Sequence, residues 1–272
     1  MAEAPPEHIR RGSLTVVGTG IDAVSQLTPA ARGAIEGAEE IFYLLADPVA
    51  ARRIESLNPR ASSLDHLYGP AKARRETYAQ IVETIVGTAL GGARVCLVVY
   101  GHPGVFAVSG HEAIKRVRAA GLPARMLPAV SALDCLIADL GVDPATSGLQ
   151  TYEATYYFLR RPPVDLHATL VLLQVGMLGE TIGAATEAVT VRFRLLLDHL
   201  AALYGPGREA VLYEASPYPG TAAAVERFAL GVSEIPDLSV MSTLCVTGAG
   251  RPPVDPEARQ AFELSERRRR RP

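Results

Sequence analysis

One apolar segment and the turn that ends it place the strongest constraint on how this chain folds. Residues 94–100 are almost entirely apolar, which is typical of a strand buried on both faces. The sequence Gly-His-Pro-Gly at 101–104 then breaks the strand at once. Ligands of open α/β sheets bind at the carboxyl ends of strands, and glycine lets a backbone approach a ligand closely. We therefore expect a ligand site at this turn, with Tyr100 and His102 as polar groups on its rim.

Strands and helices alternate through the first half of the chain. Further strands are predicted at 14–17, 40–45 and 125–127, and helices at 28–38, 72–90, 109–120 and 131–140. Thr28 followed by Pro29 is typical of a helix start, and Gly121 of a helix end. This alternation predicts an α/β fold with a mostly parallel sheet.

The pattern changes after about residue 141. Strands are predicted at 169–175, 210–213 and 238–246, and helices at 191–203 and 221–228. We expect a second α/β unit with more antiparallel pairing, and a ligand cleft between the two units. The predicted organisation is a disordered lead-in (1–12), an N-terminal α/β domain (13–127), a C-terminal α/β domain (128–250) and a polar, basic tail (251–272).

The tail ends in five consecutive arginines before the final proline. Such a charge run is typical of a solvated end without regular structure. The functional alternative is a basic segment that binds an acidic partner or nucleic acid by charge attraction. The net charge of −2 argues against a nucleic-acid-binding surface on the body of the chain.

Composition also bears on compartment and metal binding. The sequence has no apolar run of about 18 residues and no apolar signal region at its start, which predicts a soluble, cytoplasmic protein without a membrane span. Cys96, Cys135 and Cys245 stand apart in apolar surroundings, without a Cys-x-x-Cys pair. We predict buried thiols and no metal site.

A glycine pair after the first predicted strand is similar to the start of a dinucleotide-binding fingerprint. It reads Gly18-Thr19-Gly20, but the next helix is predicted to begin only near residue 28. A loop this long does not aim a helix N-terminus at a pyrophosphate, so the sequence disfavours NAD. The Gly-Lys-Ser/Thr of a P-loop is absent, which disfavours ATP.

Three loops together resemble the tetrapyrrole methylase superfamily: Gly18-x-Gly20, the turn at 101–104, and Pro-Ala-Val-Ser-Ala at 128–132. The resemblance implies a two-domain tetrapyrrole-methylase-like α/β fold with the cofactor cleft between the domains. It also implies S-adenosylmethionine as cofactor and S-adenosylhomocysteine as product.

The likeness is closer to the borosin peptide backbone α-N-methyltransferases, the omphalotin-like branch of that superfamily. Matching segments span nearly the whole body, among them 12–21, 100–106, 151–154 and 174–176. Corrin and porphyrin methylases usually carry aspartate where this chain has His102, so the histidine favours the peptide branch.

The resemblance assigns the catalytic positions to Tyr68, Arg74, Tyr78 and Tyr100. Arg74 and Tyr78 are four residues apart and share a helix face. An amide nitrogen is a poor nucleophile because its lone pair is delocalised, and a guanidinium beside a tyrosine favours the phenolate. Our hypothesis is that Tyr78, assisted by Arg74, accepts the amide proton. Tyr68 would hydrogen-bond the substrate carbonyl, and Tyr100 would orient the amide.

Simpler structural roles remain open for several of these residues. Tyr78 and Tyr100 also fit ordinary core or strand-end aromatics, and Arg74 also fits a solvated surface. His102 also fits a turn cap, and Ser131 a helix N-cap. The residues that the resemblance assigns to the cofactor are Tyr100, His102, Val105, Phe106, Ser131, Ala132, Gln174, Tyr213, Ser242 and Thr243.

The substrate and partners are expectations from the same resemblance. Fungal members carry a clasp, a recognition domain and their own core peptide after the methyltransferase, and residues 251–272 are too short for these. We therefore expect iterative methylation of a separate, ribosomally made precursor peptide, by a homodimer. Two alternatives stay open, a tetrapyrrole or corrinoid C-methyltransferase and a non-catalytic protein that binds cofactor or peptide.

Overall fold

The structure is a computed structural model that describes residues 12–69, 72–180 and 187–269. The predicted lead-in lies outside these ranges, apart from residue 12, and so do the last two of the five arginines. Within the described ranges, the strands form two five-stranded sheets.

The first sheet is parallel throughout, with the strand order β3-β2-β4-β1-β5. Its elements in chain order are β1 (Ser13–Gly18), α1 (Pro29–Glu36), β2 (Glu40–Leu44), α2 (Pro48–Leu57), β3 (Ala61–Ser63), α3 (Arg74–Leu90), β4 (Arg94–Val99), α4 (Val108–Ala119) and β5 (Ala124–Met126). The predicted elements of this half are confirmed to within a few residues, and α2 and β3 are additional. Thr28 caps α1 as predicted, since its hydroxyl accepts a hydrogen bond from the Ala31 N–H at 3.1 Å.

Strand β4 is apolar along its length because helices cover both faces of the sheet. Alternate residues from Val95 to Val99 pack with α3 and α4, whereas Cys96 and Val98 pack with α1 and α2. Side chains of successive strand residues point to opposite faces, so both sets must be apolar. This placement buries β4 as the central strand of the sheet. Its carboxyl end lies on the side where all five parallel strands end.

The second sheet is mixed, with the order β6-β7-β10-β8-β9 and only β6 and β7 parallel. The remaining elements are α5 (Ala132–Leu140), α6 (Pro144–Ser147), β6 (Leu149–Glu153), α7 (Ala154–Arg160), β7 (Thr169–Leu173), α8 (Glu187–Tyr204), β8 (Glu209–Glu214), β9 (Ala224–Ala229), β10 (Thr243–Val246) and α9 (Pro256–Arg269). The greater antiparallel content is as predicted. The domain boundary at 127/128 stays a prediction, and the two sets of strands are separated by residues 127–148.

Two secondary-structure predictions are wrong. The segment 221–228 is not a helix, because Ala224–Ala229 form β9 and pair antiparallel with β8. Its alanines favour a helix, but the strand pairing overrides that weak preference. The tail is not without regular structure, since Pro256–Arg269 form α9.

One apolar cluster joins the loops at the carboxyl ends of β1 and β4 to one face of the second sheet. Ile21, from the loop after β1, packs there with Leu173 and Tyr213 of the second sheet. Tyr100, immediately after β4, packs against this cluster and against the core beneath the first sheet. Because β10 runs antiparallel to β7 and β8, its first residues lie beside their carboxyl ends. This arrangement brings the carboxyl ends of β1 and β4 against the second unit.

No helix in the described ranges has both the length and the apolar character needed to cross a bilayer. The same ranges hold no group of three or more His, Cys, Asp or Glu side chains arranged to bind a metal ion.

Candidate active site

The two glycine loops that the sequence singled out contact each other directly. The Gly101 N–H donates to the Gly20 carbonyl at 3.0 Å, and the Gly20 N–H donates back to the Gly101 carbonyl at 3.3 Å. A Cβ atom on Gly18 would lie 1.9 Å from the Gly101 oxygen, and Gly101 itself has a φ of +67°. The glycines after β1 therefore allow the turn after β4 to pack directly against the backbone of the β1 loop.

His102 caps this turn, as one of its two interpretations predicted. Its Nδ1 accepts a hydrogen bond from the Gly104 N–H at 2.9 Å. Because a backbone N–H can only donate, Nδ1 is the acceptor in this contact. The Val105 N–H closes the turn by donating to the His102 carbonyl at 3.0 Å.

The end of the turn presents two apolar side chains to the surface. Val105 and Phe106 are 40% and 43% exposed. Phe106 has a φ of +55°, a left-handed conformation that non-glycine residues adopt at an energetic cost. Such strain is concentrated at functional sites, which is consistent with a binding role for this turn.

A cleft of about 770 Å³, the first cleft, lies where the sheets meet. Its walls come from the loops after β2, β3 and β4 on one side and the loop after β8 on the other. Three carboxylates lie among apolar side chains there: Asp47, Asp65 and Glu214. Two of the predicted catalytic residues, Tyr68 and Tyr100, line this cleft together.

The structure brings Tyr68, Arg74 and Tyr78 together. Burial raises the pKa of Tyr68 most, the nearby Tyr78 raises it further, and the guanidinium of Arg74 opposes this increase. Arg74 and Tyr78 lie in the first two turns of α3 and are half-buried. Tyr78 also packs against the core of the first sheet, so its role as a core aromatic is confirmed alongside its place beside Tyr68.

Tyr100 is held as a neutral phenol. Burial raises its pKa to about 12, with smaller contributions from Cys135, Glu214 and Asp47. A protonated phenol can donate a hydrogen bond but cannot accept a proton as a base. Its environment therefore suits orientation of a substrate group.

A second cavity, of about 540 Å³, lies at the far end of the turn. Val105 and Phe106 line it with the end of β6, where Tyr152 and Glu153 stand. The ring of Tyr152 stacks on that of Tyr156 at 6.3 Å between centroids. The segment 100–106 thus lines both spaces, with Tyr100 in the wall of the first cleft and Val105 and Phe106 in the wall of the second cavity.

Tyr213 and Ser242 line a smaller cavity of about 250 Å³ in the second unit. Tyr213 is buried, and its hydroxyl donates to Asp139 Oδ2 at 2.6 Å. Burial, followed by this hydrogen bond, raises the pKa of Tyr213 far above its usual value. Ser242 accepts a hydrogen bond from the Ser239 N–H at 2.9 Å, and Thr243 is the β10 partner of Tyr213.

The other predicted cofactor residues lie around the cavities without lining any of these three. Ser131 is the N-cap of α5: its hydroxyl accepts from the Asp134 N–H at 3.3 Å and donates to Asp134 Oδ2 at 2.6 Å. Ala132 follows as the first residue of α5. Gln174 ends β7 with an exposed side chain and a φ of +62°.

Replacing Ser131 by alanine is expected to lower the free energy of unfolding by about 1 kcal/mol, because it removes the helix cap. Urea denaturation of the purified protein measures this. Ser233 is an exposed serine outside any helix and gives the matched control, expected to change stability by less than about 0.5 kcal/mol when replaced by alanine. Equal effects of the two changes would contradict the capping role.

Sequence reasoning missed several residues of the site. Asp47 and Tyr218 line the first cleft and hydrogen-bond across it, and Asp139 anchors Tyr213. The Asp47-Pro48 pair carries a helix-start signal that could have marked the loop after β2. We find no such local signal for Asp139.

Comparisons with known proteins identify the family and the fold. A family model for Tetrapyrrole (Corrin/Porphyrin) Methylases matches residues 13–227. The chain is 39% identical, over 84% of its length, to a methyltransferase/ribosomally synthesized cyclic peptide dendrothelin A precursor of Dendrothele bispora, and covers 55% of that protein. It is 37% identical, over 94% of its length, to the corresponding omphalotin A precursor of Omphalotus olearius, and covers 60% of it. The chain thus spans little more than half the length of these relatives.

Solved structures show the same fold at low sequence identity. Uroporphyrin-III-C-methyltransferase from Thermus thermophilus superposes with a TM-score of 0.58 at 21% identity, covering 88% of this chain and 93% of that one. Diphthine synthase superposes with a TM-score of 0.57 at 16% identity, covering 87% and 90%. These likenesses confirm the predicted fold class.

The family model covers most of the chain, and the two relatives described above match 84% and 94% of it at 39% and 37% identity. The fold and family predicted from the sequence are therefore confirmed. The chain belongs to the tetrapyrrole (corrin/porphyrin) methylase family and, within it, to the borosin-type, omphalotin-like methyltransferases.

Proposed function

We propose that this protein uses S-adenosylmethionine to N-methylate backbone amides of a ribosomally made peptide. The observation that carries the proposal is that one segment, 100–106, lines two separate spaces. Tyr68 and Tyr100 line the first cleft, and Val105 and Phe106 line the second cavity. A peptide in the first and a methyl donor in the second would meet at the segment 100–106. The relatives' names likewise join a methyltransferase to a ribosomal peptide precursor.

The second cavity has properties that suit a nucleoside-based methyl donor. Its volume of about 540 Å³ lies within the range of small-molecule sites, roughly 300–1,000 Å³. Tyr152 and Tyr156 offer aromatic faces for an adenine, and Glu153 and Thr151 offer polar groups. The bound cofactor would supply an electrophilic methyl group. We also propose cofactor contacts for residues that do not line this cavity. Tyr213 and Ser242 line the smaller cavity described above, and the others are His102, Ser131, Ala132, Gln174 and Thr243.

The chain's own residues would activate and position the amide. Tyr78 would accept the amide proton on a phenolate oxygen, whose negative charge the guanidinium of Arg74 would balance. Tyr68 would donate a hydrogen bond to the substrate carbonyl, where negative charge develops. Tyr100, kept neutral by burial, would hold the amide in line with the methyl group.

Finer features belong to the same proposal. We propose that the precursor peptide is a separate chain, that methylation is iterative, and that the enzyme works as a homodimer in the cytoplasm. The relatives' names place methyltransferase and precursor in one protein, so action on a separate peptide is the point at which this chain would differ from them.

Mass spectrometry tests the proposal. The purified protein is incubated with isotopically labelled S-adenosylmethionine and either a synthetic linear peptide of the omphalotin A sequence or the short peptide encoded beside this chain's gene. We expect successive gains of one labelled methyl group, located on backbone nitrogens by fragmentation. Methylation of a tetrapyrrole instead would favour the first alternative, and binding of donor and peptide without transfer would favour the second.

The raised pKa of Tyr100 predicts the pH dependence of the reaction. A pKa of about 12 means that Tyr100 keeps its proton well above pH 10, the usual value for tyrosine. Rates measured from pH 7 to about pH 11 should therefore show no alkaline decline due to Tyr100, and Tyr100→Phe should leave the shape of the profile unchanged in that range. A decline near pH 10 that disappears in Tyr100→Phe would contradict this.

A further inference from the structure

One hydrogen bond crosses the first cleft from wall to wall. The Tyr218 hydroxyl, in the loop after β8, donates to Asp47 Oδ1, in the loop after β2, at 3.2 Å. The two residues are 171 positions apart in the chain, and both line the cleft. Their contact joins the first unit to the second above the space that Tyr68 and Tyr100 line.

The two partners differ in how firmly they are held. The Asp47 carboxylate caps α2, since its oxygens accept hydrogen bonds from the Val49 and Ala50 N–H groups, each at 3.1 Å. Tyr218 is 45% exposed and lies in a short Ser-Pro-Tyr-Pro-Gly loop, where its own N–H donates to Ser216 Oγ at 3.3 Å. Asp47 is thus a fixed acceptor, and the Tyr218 side chain can leave it without disturbing a helix.

We propose that Asp47 and Tyr218 form a reversible bridge over the first cleft, which retains the peptide between successive methylations. This inference rests on the function proposed above. A bridge between the two walls turns an open cleft into a passage. An extended peptide can slide along such a passage, but it can leave sideways only when the hydrogen bond breaks.

The strength of the contact suits this role. A solvent-exposed hydrogen bond shifts an equilibrium by roughly two- to tenfold, which slows escape without preventing entry. Asp47 also contributes to the raised pKa of Tyr100, so the bridge lies close to the residue that would orient the amide. Release of the bridge would free the peptide next to the reacting centre.

Two substitutions separate the bridge from the fold. Tyr218→Phe removes only the hydroxyl. Asp47→Ser keeps a side chain that caps α2 but is too short to reach Tyr218. Asp143 provides a matched control, because it also caps a helix, also precedes a proline, and does not line the first cleft. Asp143→Ser should therefore affect capping alone.

The first readout is dissociation of a fluorescent peptide in a chase with excess unlabelled peptide, using the peptide methylated in the experiment above or, failing that, the omphalotin A peptide. We expect Tyr218→Phe and Asp47→Ser each to raise the dissociation rate constant roughly two- to tenfold. The double variant should add nothing beyond either single change, because both remove the same contact.

The second readout is the number of methyl groups on released peptide. Early release should shift the products of both variants toward fewer methyl groups, and Asp143→Ser should match the wild type. Unchanged dissociation and an unchanged product distribution would overturn the bridge while leaving the methylation proposal intact. If the wild type methylates no peptide, the proposed function fails. The dissociation rate constants of the wild type and the variants alone then test whether the bridge retains a peptide. Failure of the wild type to bind either peptide would overturn both.

Discussion

Replacing Tyr78 by phenylalanine is expected to lower the rate constant for methyl transfer by about 10²- to 10⁴-fold, the usual contribution of a positioned proton acceptor. The expectation follows from the position of Tyr78 one helical turn after Arg74 and beside Tyr68. Phenylalanine keeps the ring that packs against the first-sheet core, so folding and donor binding should be retained. Single-turnover methylation followed by mass spectrometry measures the rate, and calorimetry measures donor binding.

The matched control is Tyr204→Phe. Tyr204 is a buried tyrosine at the end of α8, in the core of the second unit, and lines none of the three cavities described above. Its loss of a hydroxyl should leave the methyl-transfer rate within about twofold of the wild type, as expected for a site with no part in proton transfer. Normal transfer by Tyr78→Phe, with the donor still bound, would show that Tyr78 is not the proton acceptor.

Replacing Gly18 by alanine is expected to destabilise the protein by about 3 kcal/mol or more and to abolish donor binding. The new Cβ would lie 1.9 Å from the Gly101 oxygen, 2.8 Å from Pro103 Cδ and 2.9 Å from Ala129 Cβ. Overpacking commonly costs 1–3 kcal/mol, and here backbone atoms must move. That movement would displace the segment that lines both the first cleft and the second cavity. Urea denaturation and calorimetry with the donor measure the two effects.

Gly33 offers a control of opposite sign. It lies in the middle of α1, and a Cβ there would meet no atom within 4 Å. Because glycine is a poor helix former, Gly33→Ala should stabilise the protein by about 0.5–1 kcal/mol. If Gly18→Ala proved as stable as the wild type and bound the donor normally, the close seating of the turn would not be needed for the site.

The sequence predicts the first sheet well because its central strand carries an unambiguous signal. Helices cover both faces of β4, so its residues must be apolar throughout. Strand β9 carries no such signal, since it is an outer strand and nearly all of its residues are exposed. Its alanines favour a helix, and only the pairing with β8, which local sequence does not reveal, makes it a strand.

The candidate site is predictable where it depends on local chemistry. The His102 cap and the Ser131 cap act within their own loops. The glycine pair after β1 is visible as a motif, but its contact with Gly101 joins segments that are far apart in the chain. Contacts between distant segments, such as Tyr218 with Asp47 and Tyr213 with Asp139, depend on how the two units face each other. The division between a first cleft and a second cavity arises from the same packing, so no local pattern predicts it.

A crystal structure of the protein with S-adenosylhomocysteine and a bound peptide tests the central claim most directly. We predict that the cofactor product lies against Val105 and Phe106, and that an extended peptide lies in the first cleft with a backbone nitrogen facing its sulfur beside Tyr100. The peptide should pass beneath the contact between Asp47 and Tyr218. Cofactor and peptide on the same side of the segment 100–106, or a peptide bound away from Tyr100, would contradict the account.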